Sequence, residues 1–516
     1  MKPRTQLYDL IRSLTRSEKR YFRIFSSRHV IGEQNNYLKL FDFIDKQDVY
    51  DEERIRAHFR GDSFAERLPF EKNYLTKLIL KSLNAYHADS TPESRVRNLI
   101  LNAEILIQKG LYDHSYRIIK KAERLVSNYE RIDLLPEILR VEKKLLSLYR
   151  IGKEGGKGNN RWDAISRKVQ RVAIGISNLY ACWYASQEAT ELLRLGKMRV
   201  SAREREKLSK LAQTLPPLRK LSFEGKLYYY DFLSKKSALE DDQEGHYNWL
   251  KRLVKLWHNS DKQIEVQIES YLSTLNNYLV SQVKTGRLQD ALATIDRMKF
   301  IPEKYPGKCK EEILTRIFVH STTHEQYICI SLGSFEQAGE MLESASRGLH
   351  LFQRYINTPQ KLQMIYGMSY LAFGAGQYRT ALKWNNEILN SKDLHVRADL
   401  HVFSRIMNLI IHYELGNTDI LDSLLRSTYR FLKKKKMLFL VEKLIIDFIR
   451  LKIPRINTQA ELRDAFNSLD KELHRIAKIP EEALAFDYFD LRAWTDSKIN
   501  RCSFAESKQK LHNRRR

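Results

Sequence analysis

One short pattern limits what this chain can fold into more than its composition does. A glycine is followed two residues later by a large apolar residue and five residues later by a small one. It occurs as Gly110/Tyr112/Ser115, Gly196/Met198/Ser201, Gly286/Leu288/Ala291, Gly333/Phe335/Ala338 and Gly376/Tyr378/Ala381. The glycines are separated by 86, 90, 47 and 43 residues, so the first two gaps are each about two of the later intervals. Degenerate copies are therefore expected near 152 and 241, where a glycine-rich stretch and Asp241-Asp242-Gln243-Glu244-Gly245 lie, with a further weak copy at Gly416. A repeat of this length means helical hairpins that stack. The glycine closes the first helix in the left-handed conformation without a Cβ penalty. The apolar residue covers the turn, and the small residue lets the second helix come close. One such pair leaves an apolar face at each end, which only a neighbouring pair can bury.

The rest of the chain fits helices. Apolar residues recur at three- and four-residue spacing in Leu99, Ile100, Ala103, Leu106 and Ile107, in Trp249, Leu253, Leu256 and Trp257, and in Leu421, Leu424, Leu425, Tyr429 and Leu432. No bounded period-two run of β-branched residues appears. Pro92, Pro136, Pro216, Pro217, Pro302, Pro306, Pro359, Pro454 and Pro480 fall where helices should begin or end. The longest interruption, 152–160, reads as a loop. Only 20 glycines and 11 prolines among 516 residues argue against collagen-like and loop-rich all-β designs.

Segment 366–382, YGMSYLAFGAGQYRTAL, resembles a tetratricopeptide repeat, with Gly367 and Tyr370 at the small and aromatic positions of the first helix and Gly376, Tyr378 and Ala381 at the turn and second helix. Segments 285–292 and 332–339 match the turn half. The interval here exceeds the family's 34 residues, and the first-helix tryptophan is missing. The resemblance spans about 95–430. It implies an all-α, right-handed superhelical solenoid of stacked antiparallel hairpins with helical caps at both ends, whose concave face binds a peptide or another protein. On that basis the chain divides into an N-terminal cap or helix-turn-helix at 1–90, the solenoid at 91–430, a C-terminal cap at 431–506 and a flexible basic tail at 507–516. Counting back from the turn glycines places Asn276, Asn277, His320, Thr323, His324, Tyr327 and Lys361 along the peptide groove, where amide and imidazole groups bond a backbone without demanding one sequence.

Charge narrows the partners. The formal net charge is +26, distributed as +4 in residues 1–90, +5 in 91–160, +8 in 161–260, zero in 261–420 and +9 in 421–516. Such a field favours acidic protein surfaces or nucleic acid. The nucleic-acid alternative is a transcriptional regulator whose reader is a helix-turn-helix formed by 51–60, the turn Gly61-Asp62-Ser63 and a helix from about Phe70. That helix would bury Leu75, Leu78, Ile79 and Leu83 and present Lys72, Asn73, Thr76, Lys77 and Lys81 to a major groove. The N-terminal helices are expected at 5–14, 16–28, 34–46, 51–60 and 64–87, and the C-terminal ones at 437–452, 458–477 and 480–498.

No catalytic residue, metal site or cofactor is expected. Gly155-Gly156-Lys157-Gly158 lacks the hydroxyl residue after lysine and the preceding glycine of a phosphate loop. His320 and His324 are four apart, but Glu does not follow His320 as a zinc-protease helix requires. Cys182, Cys309, Cys329 and Cys502 are too scattered for a disulfide framework. The first 20 residues carry charge throughout and no stretch reaches 18 apolar residues, so the expected location is cytoplasmic with no membrane partner.

Overall fold

The structure is a computed structural model that describes residues 5–27, 36–61, 65–152, 157–196, 200–391, 394–479 and 482–514. It is all-helical, with no strand among the described residues. The chain forms two compact units, Met1–Leu239 and Glu240–Arg516. The boundaries expected at 90/91 and 430/431 fall inside these units.

The turn glycines are at helix ends and left-handed. Gly110, Gly196, Gly286, Gly333, Gly376 and Gly416 have φ between +70° and +87°. At 241 the same conformation is taken by an aspartate, Asp241, at φ +66°. At Gly376 the closing bonds are Gly376 N–H to the Phe373 carbonyl (2.9 Å) and Gln377 N–H to the Ala372 carbonyl (2.8 Å). These satisfy carbonyls left free at the end of the Thr358–Gly374 helix. In four of the five copies the small residue is buried where the second helix meets the first: Ser115, Ala291, Ala338 and Ala381. Ser115 also donates to the Ala103 carbonyl at 2.8 Å, tying the two helices together. The copy at Gly196 departs from this. Ser201 is exposed and caps the Ala202–Thr214 helix, accepting from Glu204 N–H while Glu204 returns the bond. A capping box and a close-packing small residue look alike in sequence.

In unit 1 the N-terminal helices Gln6–Ser13, Arg16–Ser27, Asn36–Asp45, Glu52–His58 and Leu68–Tyr86 lie within two residues of expectation, except that Ala65–Arg67 forms a separate short 3₁₀ turn. They bury their own core around Ile11, Phe22, Phe41, Ile44, Leu75 and Ile79. The Pro92–Gln108 and Tyr112–Asn128 helices share a second core with Leu135–Gly152, and the Lys157–Leu195 helix packs on Phe223–Leu239. The loop expected at 152–160 is thus mostly helix, leaving only 153–156 outside the described residues. Each added helical residue gains a backbone bond once nucleation is paid, so both helices extend into it.

In unit 2 the first helices of successive pairs lie side by side: Ile268–Lys284, Glu311–Leu332, Thr358–Gly374 and Ala398–Glu414, and Gln243–His258, the helix that follows the Asp241 turn, packs on the first of them. The second helices Leu288–Lys304, Ala338–Leu351, Tyr378–Leu389 and Thr418–Lys435 pack on their partners. Phe335 shows how one pair seats on the next: its ring lies where a Cβ on Gly374 would be, 2.2 Å away. Proline punctuation holds at Pro359, in the first turn of its helix, whereas Pro302 sits inside the last turn of Leu288–Lys304. Pro480 lies outside the described residues.

The C-terminal part departs most from expectation. Expected helix 437–452 is Leu440–Asp447 continued by a π-turn, Phe448–Lys452, and 458–477 is Gln459–Ile476. The stretch expected as one helix over 480–498 is broken into Ala483–Tyr488 and Leu491–Asn500. The tail expected to be flexible is a helix, Phe504–Arg514. Its Phe504 is buried against Phe335, Phe373 and Phe489, and Gln509 Nε2 donates to the Gly333 carbonyl at 3.0 Å. One buried aromatic and one turn carbonyl hold a segment whose polar composition suggests a free end.

Two glycines separate backbone from packing effects. At Gly376 a Cβ meets nothing within 4 Å, so G376A should cost only the left-handed strain, about 1 kcal/mol. G374A must push the Phe335 ring aside and should cost more, about 2–3 kcal/mol. Urea unfolding of both variants checks the order; a smaller loss for G374A would contradict the seating of Phe335.

A candidate binding cavity in the C-terminal unit

Unit 2 contains a cavity of about 750 Å³. One wall is made by consecutive first helices, which contribute Val283 and Lys284, then Thr323, His324, Gln326 and Tyr327, then Gln363, Tyr366 and Tyr370, then Leu400. The opposite wall comes from the C-terminal segment, including Phe486, Tyr488, Asp490, Arg492, Lys508 and His512. The volume lies within the range of small-molecule sites.

The two walls are joined through backbone. Tyr366 donates its hydroxyl to the Tyr488 carbonyl at 3.1 Å, and Asp490 N–H donates to the Tyr370 hydroxyl at 2.9 Å. Phe489 and Asp490 link the short helices Ala483–Tyr488 and Leu491–Asn500, so the main-chain groups at this junction, the Tyr488 carbonyl at the helix end included, are available to side chains. Burial raises the hydroxyl pKa of both Tyr366 and Tyr370, keeping them neutral. Arg397 holds Asp399 through Nη2 at 2.7 Å and reaches Gln363 at 3.1 Å, while Tyr488 donates its hydroxyl to Asp399. Burial alone would raise the Asp399 carboxyl, but the bonds from Arg397 and Tyr488 outweigh it and hold it low. Lys508 pairs with Asp490 at 2.5 Å.

Of the residues expected along the groove, Thr323, His324 and Tyr327 line this cavity. His320, one turn earlier, is half-buried and does not line it; neither do Asn276, Asn277 or Lys361. Asn277 and Lys361 are exposed, and Asn276 keeps a buried Oδ1 with no hydrogen-bond partner among the described residues. The three helices named by counting from the glycines all contribute to the cavity, but on two of them through other residues. Val283 and Lys284 lie two turns after Asn276 and Asn277, and Gln363 and Tyr366 follow Lys361. Gly367 also lines the cavity, and its lack of a side chain makes room for Gln326, whose Oε1 lies 2.2 Å from where a Cβ would be. The C-terminal contributors, 120 residues further on, carry no local signal.

The residues proposed to read DNA are placed differently. Asn73, Lys77 and Lys81 are exposed on the Leu68–Tyr86 helix. Lys72 is not presented outward. It pairs with Glu52 and bonds the Tyr50 hydroxyl, both at 2.7 Å. These contacts outweigh the desolvation that would lower its pKa, and the net shift is upward. Thr76 donates back to the Lys72 carbonyl at 2.8 Å. Gly61 is left-handed, at φ +101°, while Asp62 and Ser63 of the expected turn lie outside the described residues. Elsewhere, burial pushes the Cys182 thiol up to about 11 and raises those of Cys309, Cys329 and Cys502, the reverse of nucleophile activation. No helix among the described residues is long and apolar enough to cross a membrane.

No family model and no curated protein matches this chain.

Burial pushes both His320 and His324 down to about 4, with Arg316 adding to the effect at His320. Their neutral forms are favoured on folding, so the unfolded chain takes up more protons between about pH 6.5 and 4. Stability from these two residues is present above that window and is lost as pH falls through it. Glu442, raised by burial to about 7, acts oppositely, but equally in parent and variant. Urea midpoints at pH 7.5 and 5 should therefore drop less in an H320Q/H324Q variant than in the parent. An identical drop would mean that neither imidazole is desolvated.

Proposed function

We propose that this chain is a non-enzymatic binding scaffold: a divergent tetratricopeptide-like solenoid whose groove captures an extended segment of a partner protein. One observation carries the reading. Tyr366 and Tyr370 hydrogen-bond backbone, not side chains, at the junction of two short helices: the carbonyl of Tyr488, the last residue of one, and the N–H of Asp490, the cap of the next, so this groove face already engages main-chain groups supplied by its own chain. Backbone bonds give affinity without sequence, and flanking pockets give selectivity. The left-handed glycine turns, buried small residues and side-by-side first helices support the solenoid reading. The basic C-terminal residues, net +9 over 421–516, favour an acidic partner.

The alternative, a DNA-binding regulator reading through the Leu68–Tyr86 helix, loses two of its five contacts, because Lys72 is tied to Glu52 and the half-buried Thr76 hydroxyl to the Lys72 carbonyl. Asn73, Lys77 and Lys81 remain as a one-face stripe.

Affinity capture from nuclease-treated lysate should separate the two. The full chain should retain a protein partner that a Tyr327→Glu variant loses, since Tyr327 is half exposed on the cavity wall and its replacement leaves the core intact. Bound proteins that vanish on nuclease treatment, or that ignore Tyr327→Glu, would overturn the scaffold reading.

A further inference from the structure

The Lys157–Leu195 helix is 39 residues long, far beyond the ~10–14 residues usual in globular proteins. A helix of that length that is not apolar enough to cross a membrane points to pairing with other helices. One side of it is taken by its own unit. Val172, Leu179, Cys182, Ala185 and Ala189 are buried there, and Gly175 lies against Ile132. The other side is open. Val169, Ala173, Ile176, Tyr180, Trp183 and Gln187 follow one another at intervals of four, three, four, three and four residues. That alternation is a heptad seam, whose knobs fit the holes of a facing helix. Val169, Ala173, Tyr180 and Trp183 are exposed, the two rings at 58% and 41%, while Ile176 and Gln187 are half-buried.

Charge narrows the occupant. The six seam residues are uncharged, and the acids beside them are already matched: Glu188 pairs with Lys207, and Glu191 with Arg194 at 2.8 Å. Arg171, about two and a half turns from Tyr180, belongs to another face. An acidic segment or a nucleic acid therefore meets no free cation along the seam, whereas an uncharged helix face fits it.

The seam is also complementary to itself. Set antiparallel on a second copy about a two-fold axis at residue 178, Ile176 meets Tyr180, Ala173 meets Trp183 and Val169 meets Gln187. The smallest seam residue then faces the largest ring, which fills space at native density. In a parallel pair Trp183 would meet Trp183 and Ala173 would meet Ala173, a clash beside a void. Half-exposed rings of about 150–250 Å² each, with Val169, give two seams together about 600 Å² of apolar surface. Interfaces are a little over half apolar, so the pair buries about 1,000 Å², the lower bound for a specific dimer.

We propose that the Lys157–Leu195 helix is a homodimerisation surface on which two copies of this chain pair antiparallel through the Val169–Gln187 seam. The proposal is independent of the groove in the C-terminal unit.

Sedimentation velocity of the full chain between about 1 and 100 μM should show a reversible monomer–dimer equilibrium, as an interface of this size predicts. Tyr180→Lys replaces a ring outside the core, so it should keep the parent's thermal midpoint while raising the dimer Kd about tenfold or more. Cysteine placement reads the orientation. Ser177 and Gln170 are exposed one heptad apart beside the seam. In the antiparallel pair, position 177 lies about 3 Å along the axis from its copy and position 170 about 24 Å. A short bis-maleimide should therefore join S177C chains into covalent dimers, above the level given by the parent's own cysteines, and leave Q170C chains single. A monomer at every concentration would overturn the proposal, as would a dimer that ignores Tyr180→Lys. Cross-linking of Q170C as readily as S177C would overturn the antiparallel pairing.

Discussion

A helix pair cannot cover its own two apolar faces, and everything in the C-terminal unit follows from how that is solved. The Thr358–Gly374 helix is buried almost all round, from Leu362 through Gly374, which no isolated hairpin allows. Its neighbours must therefore come close. Closeness depends on small groups at defined places: Ala381 under Ser369, whose hydroxyl reaches the Ala381 carbonyl at 2.9 Å, and Gly374 under the Phe335 ring. The left-handed turn at Gly376 fixes which face of the returning helix meets the first. Turn, small residue and ring act as one device, and the cavity wall is its by-product, because helices held in that order present Tyr327, Tyr366 and Tyr370 on a common side.

The same device explains what the amino-acid pattern reveals and what it hides. Turn glycines are local, and all six that the pattern picks out, Gly416 included, adopt the backbone they predict. The five N-terminal helices are legible for a similar reason, since Asp51 and the Thr15/Glu18 pair mark helix starts within one turn of sequence. Ser201 misleads because a serine five residues past a glycine serves equally well as a cap, and the Glu204 that decides the matter belongs to a different pattern. The Phe504–Arg514 helix is hidden because its sequence is polar and basic. Its order comes from the aromatic cluster of Phe335, Phe373 and Phe489, two of which lie more than 130 residues away.

The cavity was half legible. Helical phase relative to a turn glycine points to Thr323, His324 and Tyr327, because they and Gly333 belong to one helix. It does not reach Arg492 or Lys508, which arrive from the far end of the chain. Charge counting by segment misses them too: residues 261–420 are neutral and 421–516 carry +9, yet both contribute to a single lining. Net charge describes a segment, whereas a site is assembled across segments, and only tertiary structure says which charges stay unpaired after the local ion pairs form.

The C-terminal segment also changes the meaning of an occupied groove. On the scaffold reading, a partner peptide would compete with a tethered segment whose effective concentration is fixed by the fold and does not fall on dilution. The tether is held by many small terms: two tyrosine bonds to backbone, the Lys508–Asp490 pair, the Trp494 Nε1 bond to Glu414 at 2.7 Å and the buried Phe504. Displacing all of it would unmake part of the core, so on that reading a partner gains most where the segment leaves space beside the first helices.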